Sequence, residues 1–444
     1  MKNNYSEKPL IGFVTVFRDF GEVYPLVTIA KKYIDLGGRA IFFGYGTGYE
    51  NLARDIGCKT IKFTQDLSEK GLKRATAAQK KLLENQMHPE TFFTHMIHKD
   101  FYQSDIIAVE KEVKAFKDTD VKMIVASGLD YLINISARVA KIPLVYIVSG
   151  AYIPPYYQQN LGKFPDNYEN FLTRLVPGFI KNRLANWYIF NNKSSVKEFN
   201  RLAHAYNTPR INHFLELFLG DYMLVAEDIT FLNLKPTADL PSKNFVGPIF
   251  QEKIAVNNED STELSVKKHL ERPGKSLFVS LGSSGTKKLF LEILRAFEKT
   301  DINVVAVYAT VFNKDEIPTF KDNILPIKFV PSIKKLNESV DIAVIHGGRG
   351  TIYTAAYAGK PVIGIPMQLE QQCNIDNLVR HGSAIRLSKR NFTTKNLLKA
   401  VDKIFINYDT FFKNAQLLKE KLQEPKGAEN TVKRLLEIVE NDTR

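Results

Sequence analysis

The chain has 444 residues, 44% of them hydrophobic, which is enough to bury a full core and long enough for two or three domains. Its net charge of +13 is spread over both halves, and no RNP, zinc-finger or helix-turn-helix pattern accompanies it, which argues against a nucleic-acid partner. Cys58 and Cys373 offer neither a disulfide framework nor a zinc spacing, and no run of about 20 apolar residues exists, so a cytoplasmic protein, at most peripheral to a membrane, is expected.

Short apolar runs alternate with longer helical patterns, the order expected of βα units and parallel sheets. In the first half Ile11–Val16, Ala40–Phe43, Met123–Ala126 and Leu144–Val148 read as buried strands. In the second half Leu277–Leu281, Val304–Tyr308, Ile342–Ile345 and Val362–Ile365 do. Between them, residues 236–255 are rich in Pro, Lys and polar side chains and read as a linker. The economical fold is α/β, two Rossmann-like domains facing a cleft. The first spans 1–235 and the second 256–444, with a last helix free to pack back on the first. Ligands of such sheets gather at the carboxyl ends of the strands, so the cleft is the expected site.

The segment "VFRDFGEVYPLVTIAKKYIDLGGRA" follows the first strand, opens a helix near Val23 and closes it at Gly37 and Gly38. In "HPETFFTHMIHKD", His88, His95 and His98 lack zinc spacing and suit an amphipathic helix. Asp118 and Asp120 precede a strand instead of following one, so no metal role is expected of them. The segment "AYIPPYYQQNLGKFPDNYENF" follows the strand Leu144–Val148 and is dense in aromatics, among them Tyr152, Tyr156 and Tyr157. A basic stretch at 171–220 comes next, with Phe179, Trp187, Tyr188 and Phe190 interleaved among Arg174, Lys181, Arg183, Lys193 and Lys197. It reads either as a solvated helical face or as a surface for anionic lipid.

The richest stretch is "HGGRGTIYTAAYAGKPVIGIPMQLEQQCN", His346 to Asn374. A strand should end at Ile345, a glycine-rich turn should follow, and Thr351 should start a helix ending at Gly359. Glycines let the backbone approach a ligand, and a helix N-terminus offers free N–H groups and partial positive charge, which are the requirements of a phosphate site. His346 adds a side-chain donor and Thr351 a hydroxyl. After Pro366, Glu370 and Gln371 supply groups suited to sugar hydroxyls, with Asn374 one turn further on.

This stretch resembles the donor-binding motif of GT-B glycosyltransferases of the UDP-glycosyltransferase family, which includes bacterial antibiotic and sterol glucosyltransferases. His346, Gly347, Gly348, Gly350 and Thr351 match its diphosphate-binding part; Pro366, Glu370, Gln371 and Asn374 match its sugar-binding part. Thr354 stands where many members carry a ribose-binding glutamate. The resemblance implies a nucleotide-diphosphate sugar, a UDP-sugar, as co-substrate, with no cofactor and no metal. It implies a second donor-facing turn at Gly282, Ser283 and Ser284. In "KFVPSIKKL" it implies a base-stacking aromatic at Phe329 and a base-pairing backbone at Val330, although Phe329 reads equally as a core aromatic. It also implies a catalytic base after the first strand, where Glu22 replaces the usual histidine and Asp19 is the reserve. Glu22 also reads as an acid favoured by the helix dipole. The position of an orienting aspartate in plant-type members is Ser127 here; a second carboxylate beside Glu22 would repel it.

The expectation is thus an inverting enzyme that moves a hexose-type sugar to a hydroxyl of a lipid or other hydrophobic acceptor. Tyr152, Tyr156 and Tyr157 would line the acceptor pocket, and the basic stretch would touch an anionic membrane. A nucleotide-sugar 2-epimerase and a non-catalytic sugar-nucleotide-binding subunit share the architecture. The Glu370–Gln371 pair favours transfer over the first, and the missing histidine leaves the second open.

Overall fold

A computed structural model of the protein describes residues 8–14, 20–44, 50–63, 102–127, 131–193, 196–250, 259–308, 311–312 and 316–442. Asp19 and the three histidines His88, His95 and His98 lie outside these residues. Two parallel six-stranded sheets organise the rest. The first has the order β3-β2-β1-β4-β5-β6, with β1 at Leu10–Val14, β2 at Arg39–Gly44, β3 at Lys59–Lys62, β4 at Val121–Ser127, β5 at Leu144–Val148 and β6 at Tyr222–Val225. The second has the order β12-β11-β10-β7-β8-β9, with β7 at Ser276–Ser280, β8 at Asn303–Val307, β9 at Ile324–Ile327, β10 at Ile342–Ile345, β11 at Val362–Gly364 and β12 at Ala384–Arg386. This is the expected α/β pair of Rossmann-like units.

Inner strands such as β5, β8 and β10 are buried along their whole length, because helices cover both faces of a parallel sheet. That is why they read as continuous apolar runs. The first helix, Phe20–Asp35, begins three residues before the expected Val23 and contains Pro25. It ends where Gly37 takes a φ of 79°. The last helix, Gly427–Asp442, crosses back to the first half. There Val432, Leu435 and Ile438 share a core with Val23, Leu26 and Ala30, and Lys32 pairs with Glu429 at 2.8 Å. The two halves also share a core cluster, in which Phe231 stacks on Tyr353 with centroids 4.5 Å apart.

Candidate active site

Strands β7 and β10 are direct neighbours, with Ser280 opposite Ile345, so the turns that follow them emerge side by side. His346 fills the space between those turns. A Cβ on Gly282 would lie 2.8 Å from its Nε2, and a Cβ on Gly348 would lie 2.4 Å from the same atom. Glycine is required on both sides because the imidazole already occupies the room. Gly347 is required for a second reason: its φ is +87°, and a Cβ there would meet the Gln371 carbonyl at 2.7 Å. Burial pulls the His346 pKa down to about 4, with the Ser280 backbone acting weakly the other way. Its Nδ1 meets no partner at full hydrogen-bond geometry among the described residues. The ring is neutral at neutral pH and can offer a hydrogen bond, not a charge.

The helix after β10 is Arg349–Ala358, and its N-cap is Gly348 with no side-chain cap. In that arrangement a helix N-terminus can present N–H groups to an anion. A Cβ on Gly350 would meet nothing within 4 Å, so the first turn faces open space. Thr351 turns its hydroxyl back to the Gly348 carbonyl at 3.0 Å. The other turn differs. Gly282–Ser284 is a separate 3-10 turn, and the helix beyond it, Lys287–Phe297, is capped by its own Thr286. The second turn therefore lies before its helix and not at that helix's N-terminus. Thr354 bonds the Thr351 carbonyl at 2.9 Å and accepts from Asn337 at 3.2 Å, so its hydroxyl faces its own helix and a neighbour.

The helix Leu369–Arg380 carries two functional faces. On one, Gln371 accepts from Met367 N at 2.8 Å and donates to Ser284 Oγ at 3.0 Å, and Asn374 donates to the Gly347 carbonyl at 3.0 Å. These buried amides hold both turns in place. Glu370 sits 3.5 Å from Arg349 Nε, with both side chains largely buried. The other face grips the first half of the chain. Gln372 accepts from Asp166 N at 3.0 Å and donates to Phe164 O at 3.1 Å; Arg380 donates to Leu161 O at 3.0 Å and to Tyr156 Oη at 2.9 Å. Below them Arg386 bridges Asp166 at 2.6 Å and Asp376 at 3.0 Å. Burial raises both carboxyls, and the Arg386 guanidinium opposes it.

Placement of the remaining candidates is mixed. Glu22 lies in the first turn of the helix Phe20–Asp35. Phe329 is 53% exposed and Val330 is buried, so the aromatic is a free face and not a core residue. Tyr156 and Tyr157 correct the acceptor-pocket expectation. Tyr156 is buried with its hydroxyl between Asn377 and Arg380, and Tyr157 is buried with its hydroxyl on the Ala151 carbonyl at 2.7 Å. Neither presents a polar tip to a ligand. Tyr152 is half-buried beside Phe218, with ring centroids 4.9 Å apart.

Two residues escaped the sequence reading. Glu227, just beyond β6, is fully buried and accepts from Ser149 Oγ and Gly150 N, both at 2.7 Å. Burial raises its pKa, and these bonds and the Arg349 charge oppose the rise. The carboxyl-end rule would have found it had β6 been recognised. Arg349 was passed over as the variable residue of the glycine turn.

The short helices Phe171–Leu175 and Gly178–Asn191 present an exposed apolar ledge. Phe171 is 77% exposed, Phe179 75% and Trp187 61%, with Leu172, Leu175 and Leu184 beside them. Arg174, Arg183, Lys193 and Lys197 are exposed around this ledge, whereas Lys181 is taken up by Glu169 at 2.9 Å. Among the described residues no helix is long and apolar enough to cross a membrane, and no group of three or more His, Cys, Asp or Glu is placed to hold a metal ion.

Residues 276–431 match the family described as Glycosyltransferase family 28 C-terminal domain. Over 317 residues the chain is 26% identical to a PGL/p-HBAD biosynthesis rhamnosyltransferase of Mycobacterium bovis, covering 70% of this chain and 67% of the relative. The calicheamicin glycosyltransferase CalG4 superposes with a TM-score of 0.64 at 14% identity, covering 98% of this chain and 99% of that one. The glycosyltransferase VinC in complex with dTDP superposes with a TM-score of 0.60 at 16% identity, covering 97% and 100%. Fold, turns and family match together define a GT-B glycosyltransferase, an enzyme that transfers sugars. Within that class, the match to the family 28 C-terminal domain falls on residues 276–431, which carry both turns and the helix Leu369–Arg380.

Proposed function

We propose that the enzyme transfers a hexose-type sugar, with inversion, from a nucleotide-diphosphate donor to a hydroxyl of a membrane-dissolved, hydrophobic acceptor. The observation that carries this reading is the uncapped helix Arg349–Ala358 beside the neutral His346, a pocket of hydrogen-bond donors facing open space. Such donors stabilise a departing diphosphate without requiring a metal. Glu370 serves the sugar hydroxyls, Gln371 and Asn374 hold the turns that meet the diphosphate, and Phe329 offers the base a stacking face. Residues 256–444 bind the donor and residues 1–235 the acceptor. As the acceptor oxygen bonds to the anomeric carbon, the bond from that carbon to the diphosphate oxygen breaks, and the acceptor proton passes to the Glu22 carboxylate. The exposed apolar side chains at 171–191, interleaved along the chain with exposed basic residues, support an acceptor reached from an anionic membrane surface.

Incubation with UDP- and TDP-linked hexoses and a lipid acceptor tests the reading. A deoxyhexose belongs in the panel because the mycobacterial relative is named a rhamnosyltransferase. Release of nucleoside diphosphate with a glycosylated acceptor is expected. A C2 epimer of the donor, or no turnover with any donor, would overturn it. Glu22→Gln keeps the shape but removes basicity, so transfer should fall by roughly a hundredfold while donor binding survives. A variant transferring at the wild-type rate would remove Glu22 from the mechanism.

A further inference from the structure

Pro25 stands four residues after Gly21 in the first helix. A proline has no N–H, so the helical bond that residue 25 would donate to the Gly21 carbonyl cannot form. Arg349 donates to that carbonyl through Nη2 at 3.3 Å, from the opposite half of the molecule. Its Nε faces Glu370 at 3.5 Å, and both side chains are largely out of water. The position is otherwise a poor one for a cation, because Arg349 is the first residue of its helix, where the dipole favours negative charge. Something must offset that cost, and the Gly21 carbonyl, the Glu370 carboxylate and the charge of the buried Glu227 all contribute.

We infer that Arg349 is a positioning residue, locking the first turn of the helix Phe20–Asp35 to the sugar-facing Glu370 through the carbonyl that Pro25 leaves without a helical donor. This deepens the transfer reading and rests on it for its catalytic consequence. Gly21 immediately precedes Glu22, so the contact ties down the backbone from which the proposed base extends. A guanidinium suits this role because its planar fork reaches two oxygen partners at once, which an ammonium does with less orientation. Misplacing reacting groups by about 1 Å can cost two orders of magnitude in rate, so losing the lock should appear in the chemical step.

The test uses the full chain carrying Arg349→Ala, Arg349→Lys or Pro25→Ala. Transfer to acceptor should fall about tenfold or more in Arg349→Ala, with partial recovery in Arg349→Lys. Nucleoside diphosphate binding, measured by calorimetry, should stay within about threefold of wild type. Donor hydrolysis by water does not depend on the acceptor's alignment, so hydrolysis should rise relative to transfer. Pro25→Ala restores a helical N–H that competes for the carbonyl; it should shift the same ratio and be non-additive with Arg349→Ala. Parallel loss of nucleotide binding and of both reactions would make Arg349 a diphosphate ligand and overturn the inference, as would unchanged transfer. Hydrogen exchange tests the contact independently of any reaction. Peptides covering residues 20–30 should exchange faster in Arg349→Ala, and unchanged exchange there would overturn the lock. A wild-type enzyme that transfers nothing would instead overturn the transfer reading alone.

Discussion

Burial decides the chemistry open to His346. With its pKa held down to about 4, the imidazole sits uncharged in a slot between two glycines, and in the proposed mechanism it would meet an anion by hydrogen bonding. The unfolded chain would titrate near the ordinary value of about 6.5, so the folded state disfavours the proton. The stability linked to this residue is therefore complete above about pH 6.5 and is lost as pH falls toward 4. Thermal melts should show His346→Asn losing less melting temperature than wild type between pH 7 and 4.5. Equal losses would mean that His346 titrates normally. His346→Ala should slow turnover with every donor, because the diphosphate is common to all. Gln371→Ala should act differently from the sequence expectation. Its amide joins Met367 N to Ser284 Oγ, so nucleoside diphosphate binding should weaken by about tenfold, the loss expected of a buried hydrogen bond. Titration calorimetry separates this from a change in sugar preference, which belongs to Glu370→Ala.

At the scale of elements, the helix Leu369–Arg380 links the donor turns to the domain interface. The face that meets the turns was legible because Gln371 and Asn374 follow the glycine turn at short range. The other face was not, because Gln372 and Arg380 meet partners at 156–166, some two hundred residues earlier, and Asp376 shares Arg386 with Asp166. Nothing local distinguishes a buried Asp376 from a solvated one. Arg386→Met would leave Asp166 and Asp376 buried together without their counter-charge, a loss of about 3–5 kcal/mol in chemical denaturation. The triple change with Asp166→Asn and Asp376→Asn should recover part of it. No recovery would mean that Arg386 stabilises through packing alone. The same local blindness explains Tyr156 and Tyr157: an aromatic cluster at a strand's carboxyl end suits a pocket and a domain interface alike, and the packing of this helix assigned Tyr156 to the interface.

Across the whole molecule, one surface is out of character for a water-facing protein. Phe171, Leu172, Leu175, Phe179 and Trp187 are all exposed within two neighbouring helices, and Arg183, Lys193 and Lys197, exposed as well, lie in the same stretch of chain. Vesicle co-sedimentation should show binding that requires anionic lipid and weakens as salt rises. Changing Phe179 and Trp187 to serine should reduce it as strongly as changing Arg183, Lys193 and Lys197 to glutamine. Recovery in the supernatant with every lipid would leave a soluble acceptor as the better substrate class.

The amino-acid sequence by itself determined the inner strands and the glycine turn at His346. Both are local patterns: continuous apolar runs that helices cover on both faces, and glycines spaced for a close approach. Tertiary structure decided the rest. The four strands absent from the sequence reading, β3, β6, β9 and β12, are the four sheet edges. Three of them are partly solvated and tolerate Lys59, Lys62, Pro326 and Arg386, which blurs their strand signature, whereas β6 is an apolar run of only four residues, Tyr222–Val225. The contacts of Arg349 with Gly21 and of Arg386 with Asp166 likewise have no local cause. They exist because the two sheets pack together through the segments that follow their strands, and that packing brings into contact residues the chain keeps hundreds of positions apart.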